Sequence, residues 1–209
     1  MSDMAKEHLV RKDRFLSAVP EVLCSYNWSE QMLSIVNESC GFKKGYYHIL
    51  FPEEITEVIA EYENWQNQQM LAIAGKEKNL KKVREKIARA LEIRITGIMP
   101  KQAALNHSSY FLLPANIFSG LEYAVITCDR IWRFAGDKST DFNYYTKRGL
   151  LLPVYLAAQT YYFADKSEGH VDTKEFIKSS LDNIINIANL KNQINLPKME
   201  DIPILRLFS

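Results

Sequence analysis

The side chains able to do acid–base, nucleophilic or metal chemistry are few in this sequence and stand apart from one another. The four histidines occur singly, without the i, i+4 partner or Glu-x-x-His spacing of a helical metal site. The three cysteines form no Cys-x-x-Cys pair, so neither a disulfide framework nor a zinc knuckle is predicted. Ser139, Thr140 and Asp141 cluster, but in the order that a helix N-cap uses. The sequence therefore predicts a protein that is not an enzyme, with no cofactor and no metal.

The composition is that of an ordinary globular protein. The 209 residues carry 26 basic and 25 acidic side chains, 47% of residues are hydrophobic and 24% are charged. Such values exclude a disordered chain, and a net charge near zero lacks the field of a protein that coats nucleic acid. The most apolar stretch, residues 149–164, contains Pro153 and is too short to span a bilayer. Any membrane contact is therefore expected to be peripheral.

Helical periodicity runs through almost the whole chain and predicts an all-α fold. Proline and glycine positions divide the pattern, with Pro20 ending the first helix, Ser29 capping the second and Pro52 starting a third. The predicted helices cover residues 5–18, 29–41, 52–74, 76–96, 102–110, 116–134, 141–164 and 172–192. We divide the chain into an N-terminal helix-turn-helix-like lobe (1–52), a helical core (53–195), to which a family resemblance described below assigns lipid binding and dimerisation, and a C-terminal tail (196–209).

The N-terminal lobe resembles the helix-turn-helix of TetR-type regulators. Its layout is three helices with a glycine turn at Gly41 and a Lys-Gly-x-x-His-x-x-Phe pattern over residues 44–51. A DNA reader needs phosphate contacts from one exposed face. Lys43 and Lys44 are the basic residues of the candidate reader, and residues 1–50 hold six basic and six acidic side chains. We therefore expect no nucleic-acid partner, while a ligand-responsive TetR-type repressor remains the alternative function.

A second resemblance is carried by the segment AGDKSTDFNYYTKR, residues 135–148, followed by Val154 and Tyr155. This segment is similar to the signature of the Coq-nine family, the ubiquinone-biosynthesis accessory proteins. Trp132 and the helix from Lys86 to Arg94 also match that family's pattern. The resemblance implies a TetR-like helical bundle, a homodimer, and a pocket for an isoprenoid or quinone-precursor lipid. It also implies assistance to the Coq-seven di-iron hydroxylase that acts on demethoxyubiquinone.

The resemblance further implies a docking surface for that hydroxylase on the motif helix. Carried over residue by residue, the partner-binding set is Asp129, Ile131, Asp141, Tyr144 and Tyr145. The family commonly has tryptophan where this chain has Tyr144, which keeps an amphipathic ring but reduces the contact area. Helical spacing puts Asp141, Tyr144, Tyr145 and Arg148 on one face. The alternative is that Tyr145 packs inward while Asp141 only caps the helix.

Three apolar stripes supply the candidate lipid-binding residues. The set is Leu91, Ile95, Phe118, Leu121, Val125, Tyr155, Ala158 and Tyr162. The alternative for each stripe is ordinary core packing, since close-packed interiors leave little room for a ligand. Small residues beside Pro153 favour a tail-sized space. Residues 202–208 of the tail are apolar and contain a proline, which is compatible with a weak membrane anchor or with a strap over the pocket mouth.

The sequence also suggests a location. Residues 1–14 are charged and lack the apolar core of a signal peptide, and they are too acidic for a typical transit sequence. Unpaired cysteines fit a reducing compartment. We therefore expect a bacterial cytoplasmic protein, peripheral at the inner membrane, ahead of a mitochondrial one.

Overall fold

A computed structural model describes residues 3–138 and 142–193 of the chain. The described residues form helices and connecting turns without a strand, which confirms the all-α prediction, and their arrangement is the predicted TetR-like helical bundle. The helices are α1 (Asp3–Leu23), α2 (Glu30–Ser39), α3 (Tyr47–Leu50), α4 (Glu54–Gly75), α5 (Val83–Glu92), α6 (Lys101–Tyr110), α7 (Ile117–Phe134), α8 (Phe142–Ala164) and α9 (Val171–Gln193). A π-helical turn, Ile93–Gly97, continues α5. A short 3-10 turn, Glu168–His170, precedes α9.

The N-terminal lobe is held together by a cap, a positive-φ glycine and a buried amide. The Ser29 hydroxyl accepts a hydrogen bond from the Met32 backbone N–H at 3.2 Å, which confirms the predicted cap. Gly41 has φ of 67°, a value that glycine adopts at little cost, and it follows the end of α2. The buried Asn37 side chain donates to the Lys43 carbonyl and accepts from the Tyr47 N–H, at 2.9 and 3.0 Å. These bonds tie the turn to α3.

The helix in the position of a DNA reader has a single turn. α3 contains four residues, Tyr47–Leu50, so it extends only about 6 Å along its axis. Tyr47 and Leu50 are buried, which leaves His48 and Ile49 as the exposed side chains of this turn. Lys43 and Lys44 precede it and are exposed. A helix of this length presents too few side chains to read several base pairs in a major groove.

Two predicted helix boundaries are wrong. α1 continues through Pro20 to Leu23, because a proline near the end of a helix removes one hydrogen bond without preventing a last turn. The basic helix begins at Val83 rather than residue 76. Its start is set by the Glu85 carboxylate, which accepts the Lys82 backbone N–H at 3.1 Å. The lysine-rich residues before it have no comparable cap.

The π-helical turn after α5 lies in a run of buried residues. Ile93, Arg94 and Ile95 are all buried, and so are the last three residues of α5, Ala90, Leu91 and Glu92. This part of the chain is therefore surrounded by other helices. The Arg94 guanidinium lies in the interior, between α4 and α8. π-turns of this kind occur often at functional sites.

Candidate functional site

A cavity with a volume of about 590 Å³ lies between α6, α7 and α8. Its walls are mostly apolar, and its volume is within the range of roughly 300–1,000 Å³ typical of ligand sites. The apolar part of the lining comprises Leu105, Phe111, Leu112, Ile117, Leu121, Ala124, Leu156 and Phe163. The remaining lining residues are Glu63, His107, Ser108, Ser109, Gly120, Tyr123, Tyr155, Gln159 and Thr160.

One wall of the cavity depends on a glycine. A Cβ atom added at Gly120 would lie 2.7 Å from Cβ of Phe111, closer than two carbon atoms can pack. Gly120 therefore lets the start of α7 approach the Phe111 ring. The ring in turn packs edge-on against His107 and Tyr123. The shape of this wall thus follows from the absence of one side chain.

A buried polar network lies at the inner end of the cavity. The Glu63 carboxylate accepts from Arg94 at Oε2 and is bonded to His107 at Oε1, each at 2.6 Å. Arg94 also donates to Gln66 Oε1 at 2.6 Å. Burial alone would raise the pKa of Glu63, but the charge of Arg94 and the hydrogen bond from His107 hold that pKa at about 2. Glu63 is therefore ionised at neutral pH.

The tautomer of His107 follows from its neighbours. The Trp28 indole N–H, which can only donate, lies 3.0 Å from His107 Nδ1. Nδ1 must therefore accept, so the ring proton is on Nε2 and is donated to Glu63. Both ring nitrogens are engaged, and Trp28 belongs to the α1–α2 connection. The network thus joins the N-terminal lobe to the cavity wall.

Two tyrosines lie beside the Glu63 carboxylate. Burial raises the pKa of Tyr155 to about 12, and Arg94 and Glu63 both contribute electrostatically to it. Burial, followed by the charge of Glu63, also raises the pKa of Tyr123. Neither phenol makes a hydrogen bond to another described residue, and both tyrosines line the cavity. The inner end therefore combines a carboxylate with two unused hydroxyl groups.

The rim of the cavity exposes large apolar side chains. Leu112 and Phe118 are 77% and 82% exposed, and Leu113, Ile117 and Leu121 are about half exposed. They occupy the α6–α7 connection and the first turns of α7. Contiguous exposed apolar surface of this kind marks an interaction site on a protein.

The structure separates the eight predicted lipid-binding residues into three groups. Leu121 and Tyr155 line the cavity. Phe118 and Val125 are exposed on α7, one turn to either side of Leu121. The remaining four pack in the core away from the cavity, as the alternative interpretation stated: Leu91, Ile95, Ala158 and Tyr162. A periodic stripe identifies a buried face but does not show whether a cavity or a neighbouring side chain lies against it.

Sequence reasoning missed the polar lining residues. Glu63 lies in a helix with three other glutamates, Glu54, Glu57 and Glu61, and no local signal distinguishes it from them. His107 was interpreted as an isolated histidine, whereas it is 2% exposed and hydrogen-bonded at both nitrogens. Ala124 was also overlooked, although the small inward residues Ala124, Thr127 and Cys128 mark the buried side of α7. Polar residues at inward helical positions would have been the useful signal.

The motif at residues 135–148 forms an ion-pair cluster at the α7–α8 corner. The Arg148 side chain donates to Asp137 at 2.6 Å and to Asp129 at 2.8 and 3.0 Å. Lys147 pairs with Asp137 at 2.6 Å, and the Trp132 indole donates to the Lys147 carbonyl at 3.0 Å. Arg148 is only 4% exposed. The charged residues of the motif therefore fix the corner between two helices.

The predicted partner-binding residues do not form a single exposed face. Tyr145 is 71% exposed, whereas Arg148, one turn later, is buried, so the expectation that these two share a face is wrong. Ile131 is fully buried in the core and cannot reach a partner. Asp129 is held by Arg148 and Arg133. Asp141 lies outside the described residues, and Tyr144 lies in α8 with its side chain outside the described part.

Other features of the described residues are reported briefly. A smaller cavity of about 240 Å³ is lined by Val83, Arg84, Ile87, Trp132, Leu150, Leu151 and Leu181. In the part of the chain that the structure covers, no three potential ligand side chains converge on a metal position. None of the described helices combines the length and apolar character needed to cross a bilayer. The predicted tail, 196–209, lies outside the described residues.

Comparisons with known proteins point to one family. The COQ9 family model matches residues 118–188. The chain is 26% identical over 185 residues to the probable ubiquinone biosynthesis protein coq9, mitochondrial, of Dictyostelium discoideum, covering 81% of this chain and 58% of the relative. It is 25% identical over 190 residues to ubiquinone biosynthesis protein COQ9, mitochondrial, of Homo sapiens, covering 87% and 59%. The chain thus spans less than two thirds of the length of these relatives.

A shorter match is closer in sequence. Ubiquinone biosynthesis protein COQ9-B, mitochondrial, of Xenopus laevis is 32% identical over 83 residues, which is 40% of this chain and 28% of the relative. All three relatives carry the word mitochondrial in their names. The expected bacterial inner-membrane location is therefore wrong by this comparison. It rested on the composition of residues 1–14, which says little about where the folded core of a family acts.

Proposed function

We propose that the chain is a member of the COQ9 family and that it serves ubiquinone biosynthesis as a non-catalytic, lipid-binding accessory protein. The cavity between α6, α7 and α8 is the observation that carries the proposal. Apolar walls favour an isoprenoid tail, since each methylene group that leaves water for the cavity contributes about 0.8 kcal/mol to the free energy of binding. The ligand we propose is an isoprenoid or quinone-precursor lipid.

The polar network supports a binding role rather than a catalytic one. Glu63 has a pKa of about 2, far below the value that suits a general base at neutral pH. His107 has both ring nitrogens engaged, with Trp28 and with Glu63. Neither group is poised to move a proton to or from a substrate. The network instead braces the inner end of the cavity.

The exposed rim supports the predicted peripheral membrane contact. Leu112, Phe118 and Leu121 place apolar surface beside the cavity mouth. A lipid that moves from a bilayer into the cavity would cross this surface without exposing its tail to water. The rim is therefore our candidate for the membrane-facing side of the protein.

We further propose that the α7–α8 corner is where the demethoxyubiquinone hydroxylase docks. Tyr145 projects from a corner that the Arg148–Asp137 ion pair fixes, and a rigid, exposed aromatic residue suits an interface anchor. Tyr144 and Asp141 stay in the proposed set through the family resemblance. Asp129 contributes to this docking surface by holding Arg148 in place, and Ile131 contributes by packing in the core. The homodimer stays a prediction.

The repressor alternative receives no support from the geometry. It requires a recognition helix, and α3 has one turn of four residues. It also requires a basic surface, and the lobe has balanced charge.

The test of lipid binding is extraction of the purified, detergent-free protein with organic solvent and mass spectrometry of the extract. We expect near-stoichiometric isoprenoid or quinone lipid from the wild type and its loss from Ala124→Phe, which fills the cavity. Ala157→Phe is the matched control, because Ala157 lies on the exposed side of α8 and does not line the cavity. Equal lipid content in both variants would contradict the cavity as the binding site.

A further inference from the structure

The cavity lining has a buried part with one carboxylate, an imidazole and phenol groups, and an exposed part with apolar side chains and the polar residues Ser109 and Thr160. Glu63, His107, Tyr123 and Tyr155 line one part, and the exposed apolar rim of Leu112, Ile117 and Leu121 borders the other. A ligand that matches this pattern has one compact polar head and a long apolar tail. This arrangement predicts how the ligand is oriented in the cavity, with its polar head at the buried end and its tail at the rim.

The described lining of the cavity offers no unpaired cation to an anionic ligand. Among the described residues that line the cavity, Glu63 is the one with a formal charge, and neither lysine nor arginine is in the lining. Arg94 neutralises Glu63 from behind but does not line the cavity, and its donors at both terminal nitrogens are directed to Glu63 and Gln66. A carboxylate or phosphate head would therefore meet a carboxylate in a buried environment, where like charges are strongly disfavoured.

Hydrogen-bonding capacity is nevertheless present. The Tyr155 and Tyr123 hydroxyls make no hydrogen bond to another described residue, and Tyr155 is only 4% exposed. Both residues line the cavity, so their hydroxyl groups can hydrogen-bond a ligand bound there. A phenol donates and accepts, and Glu63 accepts. Together they suit a hydroxyl or carbonyl group without charge.

We propose that Glu63, Tyr155 and Tyr123 select the head group of the bound lipid, accepting an uncharged hydroxyl or carbonyl head and rejecting an anionic one. This inference rests on the proposed lipid-binding function and adds the residues that determine specificity. Glu63 acts by repulsion, and the two tyrosines act by hydrogen bonding. Fatty acids are thereby disfavoured even where their chains would fit the apolar walls.

The test compares two probes that differ only at the head. Binding of geranylgeraniol and of geranylgeranoic acid to the delipidated full chain is measured at pH 7.5 by competition with a fluorescent lipid. We expect the alcohol to bind at least about tenfold more tightly than the acid, the ratio that one hydrogen bond or one unfavourable charge contact produces. Tyr155→Phe should reduce alcohol affinity several-fold without weakening the acid.

A change of charge gives the decisive variant. Glu63→Gln removes the repelling carboxylate and leaves the Arg94 cation behind the cavity, so the acid should gain affinity and overtake the alcohol. The double variant Glu63→Gln/Arg94→Met, which removes both charges, should bind the two probes within about threefold of each other. If Glu63→Gln alone folds poorly because Arg94 is then a buried cation without a partner, the double variant still allows the test, because it removes that cation as well.

The outcomes separate this inference from the proposed function. Equal binding of both probes to the wild type, or an unchanged preference in Glu63→Gln and in the double variant, would overturn the selection by head charge while leaving lipid binding in place. Failure of both probes to bind would overturn the lipid-binding function and this inference together. Preference for the alcohol that is lost with Glu63 and reduced without the Tyr155 hydroxyl supports the proposal.

Discussion

The indole nitrogen of Trp28 lies 3.0 Å from Nδ1 of His107, and this hydrogen bond connects the N-terminal lobe with the wall of the cavity. The residues are 79 positions apart in sequence. Because the Nε2–H group of His107 donates a hydrogen bond to Glu63, the connection continues to the carboxylate at the inner end of the cavity. The lobe that resembles a DNA-binding module thus helps to hold the cavity in shape.

Trp28→Phe should destabilise the fold without opening the cavity. The phenyl ring keeps most of the packing, while a buried acceptor on His107 loses its donor, at a cost of roughly 1–3 kcal/mol. Chemical denaturation measures that loss, and ¹⁵N NMR of the His107 ring should report the Nε2–H tautomer in the wild type. A ring protonated at Nδ1 in the wild type would contradict the assigned network.

Low pH should reduce the free energy of unfolding, because the Glu63 carboxylate becomes protonated. Its folded pKa of about 2 is below the ordinary 4.5, so the carboxylate stabilises the folded state above pH 4.5 and loses that contribution as pH falls toward 2. A shift of this size corresponds to roughly 3 kcal/mol. The free energy of unfolding, measured between pH 6 and pH 3, should decline less steeply in Glu63→Gln than in the wild type. Parallel slopes would show that Glu63 is not held ionised.

Arg148→Met should be destabilising. It removes the buried partner that Asp129 and Asp137 share, and because Arg133 and Lys147 still pair with these carboxylates, the expected cost is about 1–3 kcal/mol. Arg133→Met is the control, because Arg133 also pairs with Asp129 but its side chain is 61% exposed, and such pairs contribute about 1 kcal/mol or less. Thermal unfolding of the two variants side by side tests whether the corner depends on burial of Arg148. Similar melting temperatures would argue against this.

Gly120→Ala and Gly149→Ala should change stability in opposite directions. A methyl group at Gly120 meets Phe111 at 2.7 Å and must displace the cavity wall, which costs about 1–3 kcal/mol. Gly149 lies inside α8 with nothing within 4 Å of its added Cβ, so alanine should stabilise the helix by about 0.5–1 kcal/mol. Denaturation midpoints distinguish the two. The lipid content of Gly120→Ala should also fall, because the wall moves into the cavity.

Tyr145→Ala should weaken binding to the demethoxyubiquinone hydroxylase while leaving stability nearly unchanged. Loss of an exposed aromatic anchor at an interface costs about 2 kcal/mol or more, roughly thirtyfold in affinity. Tyr26→Ala is the matched control, since Tyr26 is also exposed but lies in the N-terminal lobe. Co-purification or interferometry with the hydroxylase gives the comparison. An equal effect of the two substitutions would remove Tyr145 from the docking surface.

Local chemistry along the chain was enough to predict the fold class and most helix positions. Periodicity, the Ser29 cap and the glycine and proline positions act within a few residues, and their physical effect is nearly the same in any surroundings. The motif at residues 135–148 was also sufficient to suggest the family that the comparisons support. The candidate site was predicted less well, with Leu121 and Tyr155 as the lipid-binding residues that line the cavity.

The tertiary structure determines which inward-facing residues line the cavity and which polar groups form hydrogen bonds or ion pairs with one another. Arg94 is buried where its guanidinium meets Glu63 and Gln66 of α4, and His107 contacts Trp28 and Glu63, which are 79 and 44 positions away. Arg148 points into the corner rather than outward beside Tyr145 because two aspartates from α7 and its C-terminal turn receive it. Burial and pairing of this kind depend on how helices pack against one another, and spacing within one helix carries no information about its neighbours.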